Sequence, residues 1–402
     1  MSGDIRTTGF RTLTPVSAVL DEIVRFTGQC GAETIPIQKA CGRVLTDSIV
    51  SAVNVPNFRR AAMDGFAVRA CDVPGALTIV GSSRPGRPFA GDVLPGQAVA
   101  VMTGSPVPDD ADTVVPVERC RAAESTVEVS ASFPAGKHVA SVGEDVTAGH
   151  EVLKSFRVLR PQDIGLLSSL GITEVSVFTK PRVKILVTGG ELLPPGAPPA
   201  EFHIADSNSV MLAAFVERDG GTVATTVRVP DDPERIRAEM AADGWDLLLV
   251  SGGTSVGADD HAPRTMRELT ASFVHGLDMR PGMPTGYGTF PDGRRAHLLP
   301  GNPVACLFAY DLLARLTLRK LGGLPTDWPY PTATVPLASA LESKAGRVDY
   351  VRVTLAFGMA DLVAQSGAAN LSSAVRADGF IIVGADVKRL EAGAEVTMYY
   401  YR

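Results

Sequence analysis

Two kinds of hydrophobic spacing divide the first half of the chain. Over residues 14–31 apolar side chains recur every three or four positions behind Thr14, which predicts a helix that Thr14 caps. From 54 to 142 the pattern changes to short β-branched runs between Pro and Gly residues, which indicates a small lobe of strands. A helical spacing returns at 161–170 and stops at Gly171, so we predict a second short helix there.

Strand and helix spacings alternate from residue 183 onward. Continuous apolar runs predict buried strands at 183–191 and 245–253, and further strands are predicted at 222–229 and near 286–299. Helical spacing predicts helices at 207–221, 231–244, 260–269 and 302–321. Alternation of this kind is typical of a mostly parallel sheet with helices on both faces. After residue 331 short strands return, which indicates a separate C-terminal β-lobe.

We therefore expect a multidomain α/β plus β protein. The 402 residues exceed the size of about 250–300 residues at which single hydrophobic cores stop growing. We place a discontinuous helical and linker domain at 1–53 and 143–180, with the β-lobe of 54–142 inserted into it. The α/β domain then spans 181–326, and the C-terminal β domain spans 327–402.

Composition and charge narrow the class of partner. The sequence is 45% hydrophobic and 20% charged, as expected of a soluble globular protein. Its net charge of −6 argues against nucleic acid or an anionic membrane as partner, because both require a basic surface. An anionic substrate must therefore be held by local donors or by a metal. The five cysteines are scattered and the N-terminus has no apolar signal segment, so we predict a cytoplasmic protein with reduced thiols.

Three glycine-rich loops accompany the predicted strands of the α/β domain. They are TGGEL at 188–192, SGGTSVGADD at 251–260 and LPGNPV at 299–304. Ligands of open α/β sheets bind beyond the carboxyl ends of the strands, where glycines let backbone N–H groups approach an oxyanion. We therefore predict that these loops meet at a phosphate-sized site. The chain has neither a GxxxxGK[ST] P-loop nor a GxGxxG fingerprint, which excludes a P-loop ATPase and an ordinary dinucleotide dehydrogenase.

Acidic side chains belong to the same loops. Glu191 and Asp260 both follow glycine-rich strand ends, and two carboxylates beside a phosphate site suit Mg²⁺. Capping of the next helix is the alternative for Asp260, and for Asp231 capping alone is a sufficient explanation. Asp64 and Thr103 each precede a glycine in the β-lobe, where a plain turn and a functional role both remain open.

A series of motifs runs in a fixed order from about residue 11 to the end of the chain. They are VPNFRRAAMDGFAV, VMTGSPVPDDADTVV, VGEDVTAG, VLRPQDIGLLSSLG, ILVTGGEL, DSN, VRVPDD, VSGGTSVGADD, RPGMP, LPGNPVA, GRVDYVRV and LSSAVRADGF. In these motifs the chain resembles the molybdopterin molybdenumtransferases, the family of bacterial MoeA and of the C-terminal domain of gephyrin. The resemblance implies a central molybdenum-cofactor-type α/β domain, a C-terminal β-barrel-like domain, an elongated L-shaped protomer and a homodimer. It also implies Mg²⁺-dependent insertion of molybdate into adenylylated molybdopterin with release of AMP, the final step of molybdenum cofactor biosynthesis.

The resemblance assigns roles to residues of the matching motifs. Its catalytic positions fall on Asp64, Thr103, Asp145, Glu191, Asp231 and Asp260, with Glu191 and Asp260 as the Mg²⁺ ligands. Its substrate-binding positions fall on Ser251, Gly252, Gly253, Ser255, Arg280, Pro300, Asn302, Pro303, Arg347 and Ser373. Of these, Arg280, Arg347 and Ser373 would hold the tetrahedral molybdate. The 54–142 lobe of one subunit would face the α/β site of its partner, with a pterin adenylyltransferase and recipient molybdoenzymes as further partners.

Two positions depart from the family pattern. The family often has KPGKP where this chain has Arg280-Pro-Gly-Met283-Pro, and it often has Lys at the position of Gly276. The loss of two cations leaves open weaker molybdate binding, a changed metal preference or a compensating donor. It also leaves a non-catalytic, gephyrin-type scaffold as the alternative function. An adenylyltransferase or another nucleotide enzyme that shares only the α/β domain is disfavoured, because it would lack both β-lobes.

Overall fold

The computed structural model describes residues 10, 12–198, 200–255, 260–364 and 367–401. Its contacts divide the chain into two compact units. The smaller unit spans Glu33–Val177, and the larger unit combines the chain before Glu33 with the chain after Val177. No described helix is both long enough and apolar enough to cross a membrane.

A six-stranded sheet forms the body of the smaller unit. In spatial order its strands are Thr113–Pro116, Gly65–Val68, Gln97–Val101, Gly75–Ser83, Thr126–Val129 and Cys120–Ala122. Neighbouring strands are antiparallel except Gln97–Val101 and Gly75–Ser83, which are parallel. Valine and alanine side chains from these strands form two buried clusters. The short β-branched runs of the sequence therefore predict this lobe of strands correctly.

The other elements of residues 32–178 are short. Three strand pairs join Ala32–Pro36 with Glu174–Phe178, Ile49–Val50 with Glu151–Leu153, and Arg60–Ala61 with Val139–Ala140. The 3-10 turns are Ile37–Lys39, Ala70–Asp72 and Val117–Arg119. The helix Pro161–Ser169 ends before Gly171, which has a φ of +74°, so the predicted helix with its glycine stop is confirmed.

The larger unit is built on a six-stranded mixed sheet. In spatial order its strands are Thr222–Val229, Arg182–Thr188, Leu247–Ser251, Arg295–Leu299, Gly286–Thr289 and Ser272–His275. The first four are parallel, and the last two alternate in direction. The helices are Val16–Phe26, Asn208–Arg218, Pro233–Ala241, Ala262–Leu269, Pro303–Ala309 and Arg315–Leu321. A π-helical turn at Tyr310–Ala314 joins the last two helices, so the predicted helix at 302–321 is one continuous helical segment.

Helices cover both faces of this sheet. Successive residues of the strand Arg182–Thr188 point to opposite faces. Ile185 belongs to one buried cluster with Leu212, whereas Leu186 belongs to another with Ile236. A strand that is buried on both faces favours consecutive apolar residues, as at 185–187. Lys184 is the buried exception, and its ammonium donates to Glu239 Oε2 at 2.6 Å. The predicted arrangement of a mostly parallel sheet between helices is confirmed.

The first helix has a different cap from the predicted one. It begins at Val16, whose backbone N–H donates to Asp278 Oδ1 at 2.7 Å. Thr14 lies outside the helix, and its backbone donates to Gly276 O at 2.9 Å and accepts from Asp278 N at 3.1 Å. The prediction of Thr14 as the cap is therefore wrong. A carboxylate 262 positions away takes its place, and spacing along the chain does not reveal such a contact.

A second sheet lies in the C-terminal part of the chain. In spatial order its strands are Met279–Arg280, Val348–Ala356, Gly379–Val383, Glu395–Tyr400 and Thr332–Pro336, with Met359–Ala364 paired to Val348–Ala356 as a branch. The short edge strand Met279–Arg280 runs parallel to Val348–Ala356 and sets Arg280 opposite Asp349. The remaining elements are the helix Leu371–Arg376 and the pairs Leu192–Leu193 with Ile204–Ala205 and Leu341–Glu342 with Arg389–Leu390. The multidomain α/β plus β class is confirmed.

Candidate active site

A cavity of about 1040 Å³ opens at the carboxyl ends of the parallel strands in the larger unit. Thr188 and Ser251, the last residues of two neighbouring strands, both line it. The predicted site residues that line it are Glu191, Asp231, Ser251, Gly252, Gly253, Ser255, Asp260, Arg280, Pro300, Asn302, Pro303 and Arg347. The three glycine-rich loops therefore meet at one cavity, together with the RPGMP loop and the loop before Val348. Residues 256–259 of the SGGTSVGADD motif lie outside the described residues.

The two glycines of the SGG loop allow a close approach to the first strand. Gly252 has a φ of +90°, and a Cβ at this position would lie 2.1 Å from the Thr188 carbonyl oxygen. Gly253 has a φ of +55°, and its Cβ would lie 2.6 Å from Thr188 Oγ1. Only glycine fits both the backbone conformation and the space. The loop thus presents bare backbone to the cavity, as binding of an oxyanion requires.

Gly252→Ala is expected to lower the free energy of unfolding by about 2–5 kcal/mol, because strain at positive φ and overpacking against a carbonyl add together. Urea unfolding measures the change. Gly244→Ala is the matched control, since Gly244 has a φ of +93° and no atom within 4 Å of its would-be Cβ. The control should cost only about 1 kcal/mol. Equal losses in the two variants would show that the close approach to Thr188 is unimportant.

The sequence suggests that Asp231 caps the next helix, but the structure gives that role to the adjacent Asp232. The helix Pro233–Ala241 is capped by Asp232, whose side chain accepts from Glu234 N at 2.9 Å and from Arg235 N at 3.1 Å. Asp231 instead lines the cavity and accepts from Gly190 N at 3.2 Å. Capping therefore does not explain Asp231, and that interpretation is wrong. The Asp231 carboxylate thus connects the loop after the strand Thr222–Val229 to the TGGEL loop.

Glu191 and Asp260 line the same cavity as Asp231. The helix after Asp260 begins at Ala262 with His261 at the N-cap position, so Asp260 lies one residue before the cap. In the described part of the chain no group of three or more His, Cys, Asp or Glu side chains forms a metal site. Mg²⁺ usually takes one or two carboxylates and completes its shell with substrate phosphate and water. Two carboxylates beside the glycine-rich loops of this cavity fit that ion.

Asn208 is a residue of the site that reasoning from the sequence does not single out. Its Nδ2 donates to Ser251 Oγ at 2.9 Å and to Gly301 O at 2.8 Å, so it connects two of the glycine-rich loops. It lines the cavity, and within the described residues its buried Oδ1 has no hydrogen-bond partner. The available signal is the DSN motif, in which Asp206 accepts from Ser209 N at 3.0 Å and fixes the start of the helix.

Two arginines of the cavity share one buried carboxylate. Asp349 is 1% exposed and accepts from Arg280 Nη2 at 2.6 Å and from Arg347 Nε at 2.9 Å. Ser343 Oγ donates to the same carboxylate at 3.0 Å. The pairing of Met279–Arg280 with Val348–Ala356 creates this arrangement, because it sets the two loops side by side. The guanidinium groups are thereby held in fixed orientations at the cavity wall.

The two positions that lack the family lysines differ in their surroundings. Gly276 has a φ of +90°, and a Cβ there would lie 2.4 Å from Phe10 Cδ1. The Phe10 ring therefore occupies the space that a side chain at Gly276 would enter. Met283, in contrast, lines the cavity and is 42% exposed. Of the two positions, only Met283 has room for a longer cationic side chain.

Four of the predicted site residues do not line this cavity. Ser373 is buried in the larger unit, where its hydroxyl donates to Asn370 O. Asp64, Thr103 and Asp145 belong to the smaller unit. Asp64 Oδ1 accepts from Thr103 N at 2.6 Å and from Thr103 Oγ1 at 2.8 Å, and these bonds hold the pKa of the carboxyl below its usual value. Asp64 is thus a carboxylate at neutral pH, while Asp145 is exposed.

Three family models match successive parts of the chain. The MoeA N-terminal region (domain I and II) matches residues 14–171, a probable molybdopterin binding domain matches 184–320, and the MoeA C-terminal region (domain IV) matches 334–401. Molybdopterin molybdenumtransferase 2 of Mycobacterium tuberculosis is 33% identical over 388 residues, which cover 92% of this chain and 95% of that protein. The molybdopterin molybdenumtransferase of Haemophilus influenzae is 31% identical over 377 residues, which cover 91% of this chain and 93% of that protein.

Solved structures lead to the same family. A molybdopterin biosynthesis MoeA protein from Pyrococcus horikoshii has a TM-score of 0.84 and 30% sequence identity, and the match covers 97% of this chain and 100% of that chain. The likeness extends over both β-lobes and the α/β part, so this is not an enzyme that shares the α/β part alone. By identity and coverage, the chain belongs to the MoeA family of molybdopterin molybdenumtransferases.

Proposed function

We propose that this chain inserts molybdate into the dithiolene of adenylylated molybdopterin and releases AMP. The observation that carries the proposal is the composition of one cavity. Carboxylates and bare glycine backbone lie at its strand-end loops, and two oriented guanidinium groups lie at the RPGMP loop and the loop before Val348. A substrate with a phosphate and a separate tetrahedral oxyanion needs two such sets of groups. A non-catalytic scaffold has no need of the carboxylates.

The phosphate of the adenylyl group is proposed to bind at the strand ends. Backbone N–H groups of Gly252 and Gly253 contact its oxygens, since no side chain shields them. Glu191 and Asp260 would hold Mg²⁺, which when bound neutralises phosphate charge and stabilises the leaving group. Asn208 keeps the SGG and PGN loops at a fixed separation through its two donated hydrogen bonds.

Molybdate is proposed to bind beside Arg280 and Arg347. A guanidinium group presents parallel N–H donors to two oxygens of a tetrahedral anion. The Asp349 carboxylate accepts a hydrogen bond from each guanidinium group and does not itself line the cavity. Ser373 is proposed as a further donor, and it must turn its hydroxyl away from Asn370 O to serve as one.

The activity is tested with purified protein, adenylylated molybdopterin, molybdate and Mg²⁺. We expect release of AMP together with a cofactor that activates an apo-molybdoenzyme. Omission of molybdate or Mg²⁺ should abolish both. A protein that binds these ligands without releasing AMP would support the scaffold function instead.

Met283→Lys is expected to tighten the apparent affinity for molybdate. A cation that faces a dianion at a partly exposed site contributes on the order of 1–2 kcal/mol, which corresponds to a shift of about 5–30-fold. The measurement is the molybdate concentration that half-saturates AMP release. Met359→Lys serves as control, because Met359 is 37% exposed and does not line the cavity. An unchanged molybdate dependence in Met283→Lys would show that another donor already fills this role.

We propose further that the protein acts as a homodimer with composite sites. Asp64, Thr103 and Asp145 lie in a unit separate from the cavity, and Met63 and Met102 beside them are exposed apolar side chains. Exposed methionines beside the exposed Asp64 carboxylate support a surface that another subunit covers. We therefore propose that the Asp64–Thr103 pair of one subunit lies at the cavity of its partner.

We also propose a division of the chain into four domains, which the matches to successive family models support. The domains are the discontinuous 1–53 and 143–180, the inserted 54–142, the α/β 181–326 and the barrel-like 327–402. A pterin adenylyltransferase would supply the adenylylated substrate, and molybdoenzymes would receive the product.

A further inference from the structure

Lys344 belongs to the short loop that carries Arg347 into the cavity. The loop is held at its base, because Ser343 N donates to Lys388 O at 2.8 Å and Gly346 N donates to Ala385 O at 2.7 Å. Gly346 has a φ of +88°, which turns the chain between the two cationic residues. Lys344 and Arg347 both line the cavity. The loop thus places two cationic side chains, Lys344 and Arg347, at the wall of the cavity that also contains Arg280.

The charges of Arg280, Arg347 and Asp349 do not by themselves balance a dianion. Arg280 and Arg347 share the single carboxylate of Asp349, so the three groups together carry one net positive charge. Molybdate carries two negative charges. Adding Lys344 raises the total to two, which matches the anion.

Lys344 also differs from the other cations of the cavity in its freedom to bind a ligand. Arg352 lines the cavity as well, but it is 1% exposed and donates to Ala364 O at 3.3 Å. Lys344 is exposed, and within the described residues its ammonium makes no hydrogen bond or ion pair with the protein. An ammonium on a flexible four-carbon stem keeps three donors for an incoming oxyanion.

We propose that Lys344 binds the molybdate oxyanion and supplies the cation that Met283 and Gly276 do not. The inference rests on the proposed function, since it takes molybdate as the anion of this wall. It makes Lys344 the specificity-determining residue for a doubly charged tetrahedral anion. The loop before Val348, and not the RPGMP loop alone, then sets the affinity for that anion.

The test compares Lys344→Met, Lys344→Arg and the control Lys388→Met in the full chain. Lys388 is exposed, lies in the same lobe and does not line the cavity. We expect Lys344→Met to raise the half-saturating molybdate concentration about 10-fold, as the loss of a charged hydrogen bond does. Lys344→Arg should stay near the wild-type value, and Met283→Lys added to Lys344→Met should restore most of the affinity. Lys388→Met should change nothing.

Equilibrium dialysis with radiolabelled molybdate, without pterin, provides a second measurement that does not depend on turnover. If wild-type protein binds molybdate and Lys344→Met binds it equally well, the inference is wrong even when AMP release is normal. Equal weakening in Lys344→Met and Lys388→Met would also overturn it, because the effect would then be one of general surface charge. If wild-type protein binds molybdate through Lys344 but releases no AMP, the proposed function fails and the assignment of Lys344 stands.

Discussion

Asp260→Asn is expected to reduce the rate of AMP release by about 100-fold or more at a fixed Mg²⁺ concentration, with an unchanged urea midpoint. The substitution keeps the shape of the side chain and removes one charged oxygen from the proposed Mg²⁺ site, which has few. Because the N-cap position of the next helix is His261, loss of the charge at Asp260 should not weaken the helix. The half-saturating Mg²⁺ concentration should rise together with the fall in rate.

Asp232→Asn is the matched control for this prediction. Asp232 caps the neighbouring helix and does not line the cavity, and asparagine caps as well as aspartate. The control should therefore leave both rate and stability near the wild-type values. Normal turnover in Asp260→Asn, or a loss that tracks a lowered urea midpoint, would assign Asp260 to structure and not to metal binding.

Mixed dimers of Asp64→Ala and Asp260→Ala subunits are expected to recover up to about half of the wild-type activity, although each homodimer is nearly inactive. In a composite site the Asp64 of one subunit serves the cavity of the other. One site of the heterodimer then carries both lesions, and the other carries neither. The activity of the mixture should rise with the fraction of heterodimer, which native mass spectrometry measures.

A second mixture separates this result from nonspecific stabilisation. Glu191→Ala and Asp260→Ala alter the same cavity of the same chain, so every site of their heterodimer carries one lesion. This mixture should stay inactive. If subunit exchange is complete and the Asp64→Ala mixture also stays inactive, each site is built within one chain and the composite site is wrong.

The parts of the fold that follow from local pattern are predictable from the sequence. Residues 185–187 and 247–250 are continuous apolar runs because both faces of the sheet are covered, and such runs identify buried strands directly. The carboxyl ends of parallel strands lie at one edge, so the convergence of Glu191 and Asp260 at one cavity also follows from the sequence. Their roles as metal ligands stay predictions.

The parts that depend on distant contacts do not follow from local pattern. Thr14 and Asp231 have the residue type and position of helix caps, yet Asp278 and Asp232 take those roles. The local signal that separates the two adjacent aspartates is Pro233, because proline is favoured at the first helical position and the residue before it is then the N-cap. The pairing of Arg280 with Asp349 is hidden, because a two-residue strand gives no periodic signal.

The edge strand Met279–Arg280 also has a consequence for how the protein is made. Arg280 and Asp349 are 69 positions apart, so at roughly 5–20 residues per second the ribosome needs roughly 3–14 s to deliver the second after the first. During that interval the TGGEL and SGGTSVGADD loops have already been synthesised, but the carboxylate that orients Arg280 has not. A nascent or prematurely terminated chain that ends before Asp349 therefore lacks the partner that orients Arg280, and the proposed anion site is complete only after that residue has been added.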